Sequence, residues 1–129
     1  MPFKFHIDTQ ANVIRETWSG TVDLEQLQES CRQEWTHPDY KSGMSLISDF
    51  RIAEGNITAD EVLWFASWFS CKDTPVKHAI VVSRELGLDL AEMYTLISGA
   101  TEAGTQIFLS YAMAESWIMQ DRYFAIRTG

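Results

Sequence analysis

The fold is decided by residues 44–83, which read MSLISDFRIAEGNITADEVLWFASWFSCKDTPVKHAIVVS. The apolar run at residues 44–50 predicts a strand, and the Gly-Asn pair within residues 51–57 predicts a loop. Thr58 begins a capping box, S/T-x-x-E, from which a helix is expected. The β-branched run at residues 78–83 predicts a second strand, buried on both faces. A strand, a helix and a strand in this order predict parallel pairing through a right-handed crossover.

Upstream of this unit, the sequence predicts a hairpin followed by a helix. Apolar and polar residues alternate over residues 3–8, the period of a half-buried strand, and a second strand is expected at residues 13–19. The short polar break between them favours antiparallel pairing. Asp23, with Gln26 as its capping-box partner, begins a helix that must end before Pro38, because the residue before a proline disfavours helical backbone.

Downstream, we expect a third helix near Asp89, a last strand at residues 106–109 and a last helix after Ser110, with a loosely held tail from Asp121. The last helix is expected to present four apolar residues to the core: Met113, Ala114, Trp117 and Ile118. Residues 1–129 are therefore predicted to form one α/β domain. Its mixed sheet has an antiparallel first strand followed by parallel strands, and about four helices cover its two faces.

Composition and charge exclude several classes of protein. The 129 residues include 18 acidic and 10 basic side chains, and the net charge of −8 argues against binding to nucleic acid or to an anionic membrane surface. No apolar run approaches the roughly 20 residues of a membrane span, and the N-terminus has no apolar signal-peptide core, so we expect a cytoplasmic protein. Cys31 and Cys71 have neither redox nor metal-ligand spacing, so we expect buried thiols, no metal and no cofactor.

Five short stretches carry a resemblance to a known family. They are Trp18-Ser19-Gly20-Thr21-Val22, His37-Pro38-Asp39-Tyr40-Lys41-Ser42-Gly43-Met44, Ser48-Asp49-Phe50-Arg51, Ala79-Ile80-Val81-Val82-Ser83 and Ala114-Glu115-Ser116-Trp117-Ile118. They span nearly the whole chain, which is similar to the SpoIIAA-like family and resembles the STAS fold of anti-sigma-factor antagonists. The resemblance implies a small bacterial cytoplasmic protein that binds an apolar ligand. It does not imply a phosphorylation cycle, because Asp49-Phe50-Arg51 stands where those antagonists have an Asp-Ser phosphoacceptor.

The helix after Thr58 has an unusual density of aromatic residues. At 100° per residue it presents a complete core stripe, which consists of Val62, Phe65, Ala66 and Phe69. Trp64 and Trp68 lie one turn apart on the flank of that stripe, and large exposed indoles mark partner or ligand sites. We therefore predict a ligand cleft lined by Trp64, Trp68, Met93 and Tyr94. Two alternatives stay open: neighbouring helices cover both indoles, or the indoles form a homodimer interface.

A second candidate site lies at the carboxyl ends of the parallel strands, where open α/β sheets bind ligands. Arg51 and Arg84 follow two of these strands, close to the beginnings of helices, and two such cations can hold an anion. The alternatives are that Asp49 and Arg51 form a structural pair and that both arginines are exposed loop residues.

The leading functional prediction is a non-enzymatic binding or regulatory module, dimeric, that accepts an apolar or amphipathic small molecule. No catalytic residue is predicted, because the sequence contains no G-x-S-x-G elbow, P-loop or H-E-x-x-H helix. The alternatives are a protein-interaction domain without a ligand and an enzyme that uses Asp49, Arg51 or Ser83 on a small anionic substrate.

Overall fold

The computed structural model describes residues 3–55, 57–70, 75–84 and 104–128. Five strands and three helices lie within these ranges: β1 (Phe3–Asp8), β2 (Val13–Val22), α1 (Leu24–Trp35), β3 (Ser45–Gly55), α2 (Ala59–Ser70), β4 (His78–Val81), β5 (Thr105–Phe108) and α3 (Tyr111–Thr128). The helix predicted near Asp89 falls outside the described residues. Every other predicted element is present, in the predicted order.

The strands form one mixed sheet in the spatial order β1-β2-β3-β4-β5. β1 pairs with β2 in the antiparallel sense, and each later strand runs parallel to its neighbour. Helices pack on both faces, as expected: residues of α1 and α2 share a core cluster with Ile14 and Leu46, and residues of α3 share another with Val13 and Ile47. Neighbouring residues on one strand therefore point to opposite helix layers, the alternation that a pleated strand requires. The predicted α/β fold class is confirmed.

The side chain of Asp8 stabilises the turn between β1 and β2. Asp8 Oδ1 accepts hydrogen bonds from the backbone nitrogens of Gln10 (3.1 Å) and Ala11 (3.0 Å), which closes the turn locally. Asn12 has a φ of 59°, a left-handed conformation that asparagine tolerates better than most residues. The polar break in the sequence is therefore a specific turn that sets the antiparallel register.

One predicted boundary is wrong: β3 does not end at Phe50 but continues to Gly55. The register shows why, since Thr17 pairs with Asp49 whereas Ser19 pairs with Ile52, so β3 has one extra residue opposite β2. This β-bulge reverses the in–out alternation of the strand. The pattern expected of a strand is broken at that point, and the sequence is typical of a loop instead.

Side-chain caps fix the beginnings of the helices, as the sequence predicts. In α1, Asp23 Oδ1 accepts from Gln26 N (2.9 Å) while Gln26 Oε1 accepts from Asp23 N (3.3 Å). In α2, Thr58 Oγ1 accepts from Glu61 N (3.2 Å) while Glu61 Oε1 accepts from Thr58 N (2.9 Å). Both are complete capping boxes, each of which satisfies two otherwise unpaired backbone donors. Ser110 Oγ accepts from Met113 N at 3.4 Å at the beginning of α3.

α3 packs on the sheet face opposite α1 and α2. Ala114 and Ile118 are buried there, as predicted, whereas Met113 is 65% exposed, so its predicted place in the core is wrong. The helical backbone continues through Thr128, beyond the position at which a loose tail was expected. An ion pair holds the helix to β2: Arg15 Nη1 donates to both carboxylate oxygens of Glu115, at 2.7 and 2.6 Å. No helix within the described ranges is both long and apolar enough to cross a bilayer.

Candidate functional site

Three tryptophans form a row of ring contacts that leads from α1 to the outer face of α2. The indole of Trp35, the last residue of α1, lies 5.6 Å from that of Trp68, measured between ring centroids. Trp68 in turn stacks on Trp64 at 6.1 Å, with an interplanar angle of 14°. Contacts between aromatic rings at these centroid distances are favourable beyond the burial of their apolar area. We call Trp35, Trp68 and Trp64 the indole row.

The two predicted tryptophans differ in exposure. Trp68 is half-buried and packs against the core cluster that contains Phe65 and Phe69. Trp64 is 47% exposed, and its neighbour Leu63 is 48% exposed. The outer end of the indole row is therefore an apolar surface made by Leu63 and Trp64. Met93 and Tyr94, the other predicted lining residues, lie outside the described part of the chain.

Asp49 and Arg51 pair with each other beside the β3 bulge, so Arg51 lies within the strand and not after its end as predicted. Asp49 Oδ1 accepts from the backbone nitrogen (3.1 Å) and from Nε (2.9 Å) of Arg51, and Oδ2 accepts from Nη2 at 2.8 Å. The guanidinium carbon lies 5.5 Å from the ring centroid of Tyr111, the first residue of α3. Asp49 raises the pKa of Arg51. The pair spans the β3 bulge, so it stabilises that irregularity and joins it to α3.

The second predicted anion ligand is Arg84. Arg84 is exposed in the turn that follows β4. The contacts of Arg51 described above are with Asp49 and Tyr111, and they use its Nε, its Nη2 and the face of its guanidinium. Both predicted anion ligands are therefore exposed, and Arg51 is already engaged by a carboxylate.

A polar cluster that the sequence analysis missed lies between α1 and the sheet. Glu16 on β2 and Ser48 on β3 are register partners, and the Ser48 hydroxyl donates to Glu16 Oε1 at 2.8 Å. The same oxygen accepts from Trp18 Nε1 at 3.1 Å. His78 Nε2 lies 2.9 Å from Ser48 Oγ. Because the serine proton is given to Glu16, the histidine is the donor in this last bond.

Glu34 of α1 completes the cluster from the helix side. Its carboxyl group is buried, and Oε2 has no hydrogen-bond partner among the residues that the structure describes. Burial is the main cause that raises the pKa of Glu34 far above its ordinary value, and the charge of Glu16 acts in the same direction. Burial lowers the pKa of His78 to about 4, against a smaller opposing effect of Glu16. At neutral pH, Glu34 and His78 are therefore both uncharged.

We call Glu16, Glu34, Ser48 and His78 the internal polar cluster. All four residues are buried, with relative exposures of at most 8%. Ser48 donates to Glu16 and accepts from His78, the reverse of the order that activates a serine nucleophile. The geometry is that of a buried hydrogen-bond network that joins Glu16, Ser48 and His78 inside the core.

Two charged residues at core-facing positions in the sequence indicate part of the internal polar cluster. Glu16 lies between Ile14 and Trp18 on the apolar side of the β2 alternation, and Glu34 falls among the core-facing positions of α1 beside Cys31. A charged residue at such a position must find a partner, because an unpaired buried charge is costly. Burial, followed by the charges of Glu16 and Glu34, also raises the pKa of the Cys31 thiol well above its ordinary value. No cluster of three metal-ligating side chains occurs in the described ranges.

The sheet order and the helices on both faces place the chain in the class of layered α/β proteins with a mixed sheet. No family model matches the sequence, and no curated protein does. A crystal structure of an uncharacterized protein of the DUF3478 family from Shewanella loihica PV-4, which has a SpoIIAA-like fold, is similar to this chain. The two share 13% identity, the match covers 90% of this chain and 93% of that one, and the TM-score is 0.59. The chain therefore has a SpoIIAA-like fold, as the sequence resemblance implies.

Proposed function

We propose that this chain is a non-enzymatic binding module whose outer α2 surface, Leu63 and Trp64, takes an apolar or amphipathic small molecule. The observation that carries the proposal is the exposure of Trp64 at the end of the indole row. A half-exposed indole whose inner face is stacked is held in place before any ligand arrives. A pre-ordered aromatic surface loses little conformational entropy when it binds.

The polar groups of the described residues favour binding over catalysis. Asp49 is engaged by Arg51 through three hydrogen bonds, and Ser48 and His78 are buried within the core. A catalytic group must come within hydrogen-bond distance of its substrate, and these side chains are turned to each other. Arg84 is an exposed cation in the turn after β4.

Native mass spectrometry of freshly purified protein tests the proposal, because it reports stoichiometry and any retained small molecule together. We expect wild-type protein to carry an added mass that Trp64→Ala reduces. Met113→Ala serves as the matched control, since Met113 is an exposed apolar residue on the opposite helix layer. Its added mass should equal that of the wild type.

The other functional classes predict different spectra. A doubled protein mass that Trp64→Ala abolishes, without a small-molecule adduct, would assign the outer α2 surface to self-association. An anionic adduct that survives Trp64→Ala and disappears in Arg51→Ala would favour the enzyme alternative. Either result would overturn the proposal.

A further inference from the structure

The outer α2 surface has a carboxylate at its border. Among the side chains of α2 that the structure describes, four are exposed: Asp60, Leu63, Trp64 and Ser67. At about 100° per residue, these positions fall within an arc of about 100° of the helix surface. Asp60 precedes Trp64 by one turn, and side chains four residues apart on a helix are neighbours. The apolar surface made by Leu63 and Trp64 is therefore bordered by a negative charge.

The charge of Asp60 is not used by the cap of its helix. The capping box of α2 consists of Thr58 and Glu61, whose two hydrogen bonds measure 3.2 and 2.9 Å. In the ranges that the structure describes, no salt bridge involves Asp60. The helix dipole favours a carboxylate in the first turn, but this effect does not occupy the carboxylate oxygens of an exposed residue.

The two helices of this layer offer little positive charge to the carboxylate. The sequence of α2 contains no lysine and no arginine. Arg32 is the basic residue of α1, and its Nη1 lies 3.9 Å from Glu29 Oε1 on the same helix. The net charge of −8 attracts cations to the whole chain and repels anions. A ligand of the outer α2 surface therefore meets a negative potential.

Trp64 supplies the second half of a cation site. One face of its indole stacks on Trp68 with an interplanar angle of 14°, and the residue is 47% exposed. The face of an aromatic ring attracts ammonium groups, and tryptophan does so most strongly. A carboxylate and an indole one turn apart can therefore contact the same cationic group.

We propose that the outer α2 surface selects amphipathic cations, that is, ligands with an ammonium head and an apolar chain. The head binds between Asp60 and Trp64, and the chain lies along Leu63. The inference rests on the proposed function and adds the charge of the ligand to it. An anionic amphiphile makes only the apolar contact, so it binds the same surface more weakly.

Calorimetric titration with decylammonium and with decanoate tests the proposal, because the two probes have alkyl chains of matched length and opposite charges at neutral pH. Both are used below their micelle concentrations and at low ionic strength, where exposed charges are least screened. We expect the Kd of decylammonium to be about tenfold lower than that of decanoate, as an ion pair and a cation–π contact together would produce.

Two variants separate these contributions. Asp60→Asn removes the charge but keeps the size of the side chain, and it should reduce the ratio of the two Kd values to about threefold or less. Trp64→Leu keeps an apolar side chain but removes the aromatic face, and it should also reduce the ratio to about threefold or less. Both variants should still bind decanoate.

Asp39→Asn is the matched control for the loss of one charge. Asp39 is exposed in the loop after α1. Trp35, the last residue of α1, lies against Trp68 near the end of α2, whereas Asp60 is in the first turn of α2. The control therefore removes an equal charge at the opposite end of the helix layer, and the ratio should stay near tenfold.

The results distinguish failure of this inference from failure of the proposed function. Equal Kd values for the two probes in the wild type would overturn the selection of cations and leave binding of amphipathic molecules intact. A preference that persists in Asp60→Asn would also overturn it, because the net charge of the chain would then explain the preference. If neither probe binds, the proposed function fails, and the inference fails with it.

Discussion

Trp35 at the end of α1 lies against Trp68 on α2, with ring centroids 5.6 Å apart and planes inclined by 33°. The sequence places both tryptophans of α2 on the flank of its core stripe, but this contact makes Trp68 part of the packing between two helices. Trp64, one turn earlier, has its outer face free of that packing and is 47% exposed. The two residues should therefore respond differently to truncation.

We predict that Trp68→Ala lowers the free energy of unfolding by about 2–3 kcal/mol, less than a fully buried aromatic residue because Trp68 is half-buried. Trp64→Ala should lower it by less than about 1 kcal/mol, because much of its ring already faces solvent. Urea unfolding followed by circular dichroism measures both values. An equal loss in the two variants would show that Trp64 is also a core residue.

Thr58 caps the beginning of α2, so we expect its substitution to change the free energy of unfolding. Thr58→Ala removes the acceptor for Glu61 N and should lower the free energy of unfolding by about 0.5–2 kcal/mol. Thr58→Ser keeps the hydroxyl and should stay within about 0.5 kcal/mol of the wild type. Stoichiometric phosphate on Thr58 in cells, detected by mass spectrometry, would contradict a purely structural role.

The elements whose formation depends on local chemistry could be predicted from the sequence. The Asp23–Gln26 and Thr58–Glu61 pairs each satisfy backbone donors within three residues, so their spacing is sufficient to indicate where a helix begins. The second half of β3 could not be predicted, because the bulge between Asp49 and Ile52 is defined by pairing with β2. Ile52 is 66% exposed while Ala53 is buried, which breaks the expected alternation.

The internal polar cluster could not be predicted from the sequence either, because it depends on tertiary structure. Glu16, Glu34 and His78 are far apart in sequence, and their proximity depends on strand register and on the position of α1. Each residue by itself is typical of a polar position on an amphipathic element. Glu16 and Glu34 lie on the apolar faces of their elements, which indicates that they are buried. That position does not indicate which residues they contact.

The stability of the fold should depend on His78 in acid. The folded-state pKa of His78 is lowered to about 4, whereas the unfolded chain takes up a proton near the ordinary value of about 6.5. As the pH falls through this window, His78 binds a proton in the unfolded state but not in the folded state. The free energy of unfolding therefore decreases. Relative to His78→Asn, the wild type should lose up to about 1.4 kcal/mol per pH unit between about pH 6.5 and about pH 4.5. Parallel stability profiles of the two proteins would contradict the lowered pKa.

The link between Arg15 and Glu115 should contribute measurably to the docking of α3. Both side chains are partly buried and the bonds to Nη1 are short, so Glu115→Gln should cost about 1 kcal/mol in urea unfolding. Glu29→Gln, which disrupts an exposed pair with Arg32 at 3.9 Å, should cost less than about 0.5 kcal/mol. Equal effects would show that the Arg15–Glu115 pair contributes no more than an ordinary surface ion pair.

Calorimetric titration with oleate measures whether the outer α2 surface, Leu63 and Trp64, binds an amphipathic molecule. We predict that Trp64→Ala raises the Kd at least about tenfold, which corresponds to a loss of about 1.4 kcal/mol. Met113→Ala, an equally apolar change on the opposite helix layer, should leave the Kd within about twofold of the wild type. An equal Kd for wild-type and Trp64→Ala protein, or no binding of oleate by the wild type, would show that Trp64 does not form a binding surface for amphipathic molecules.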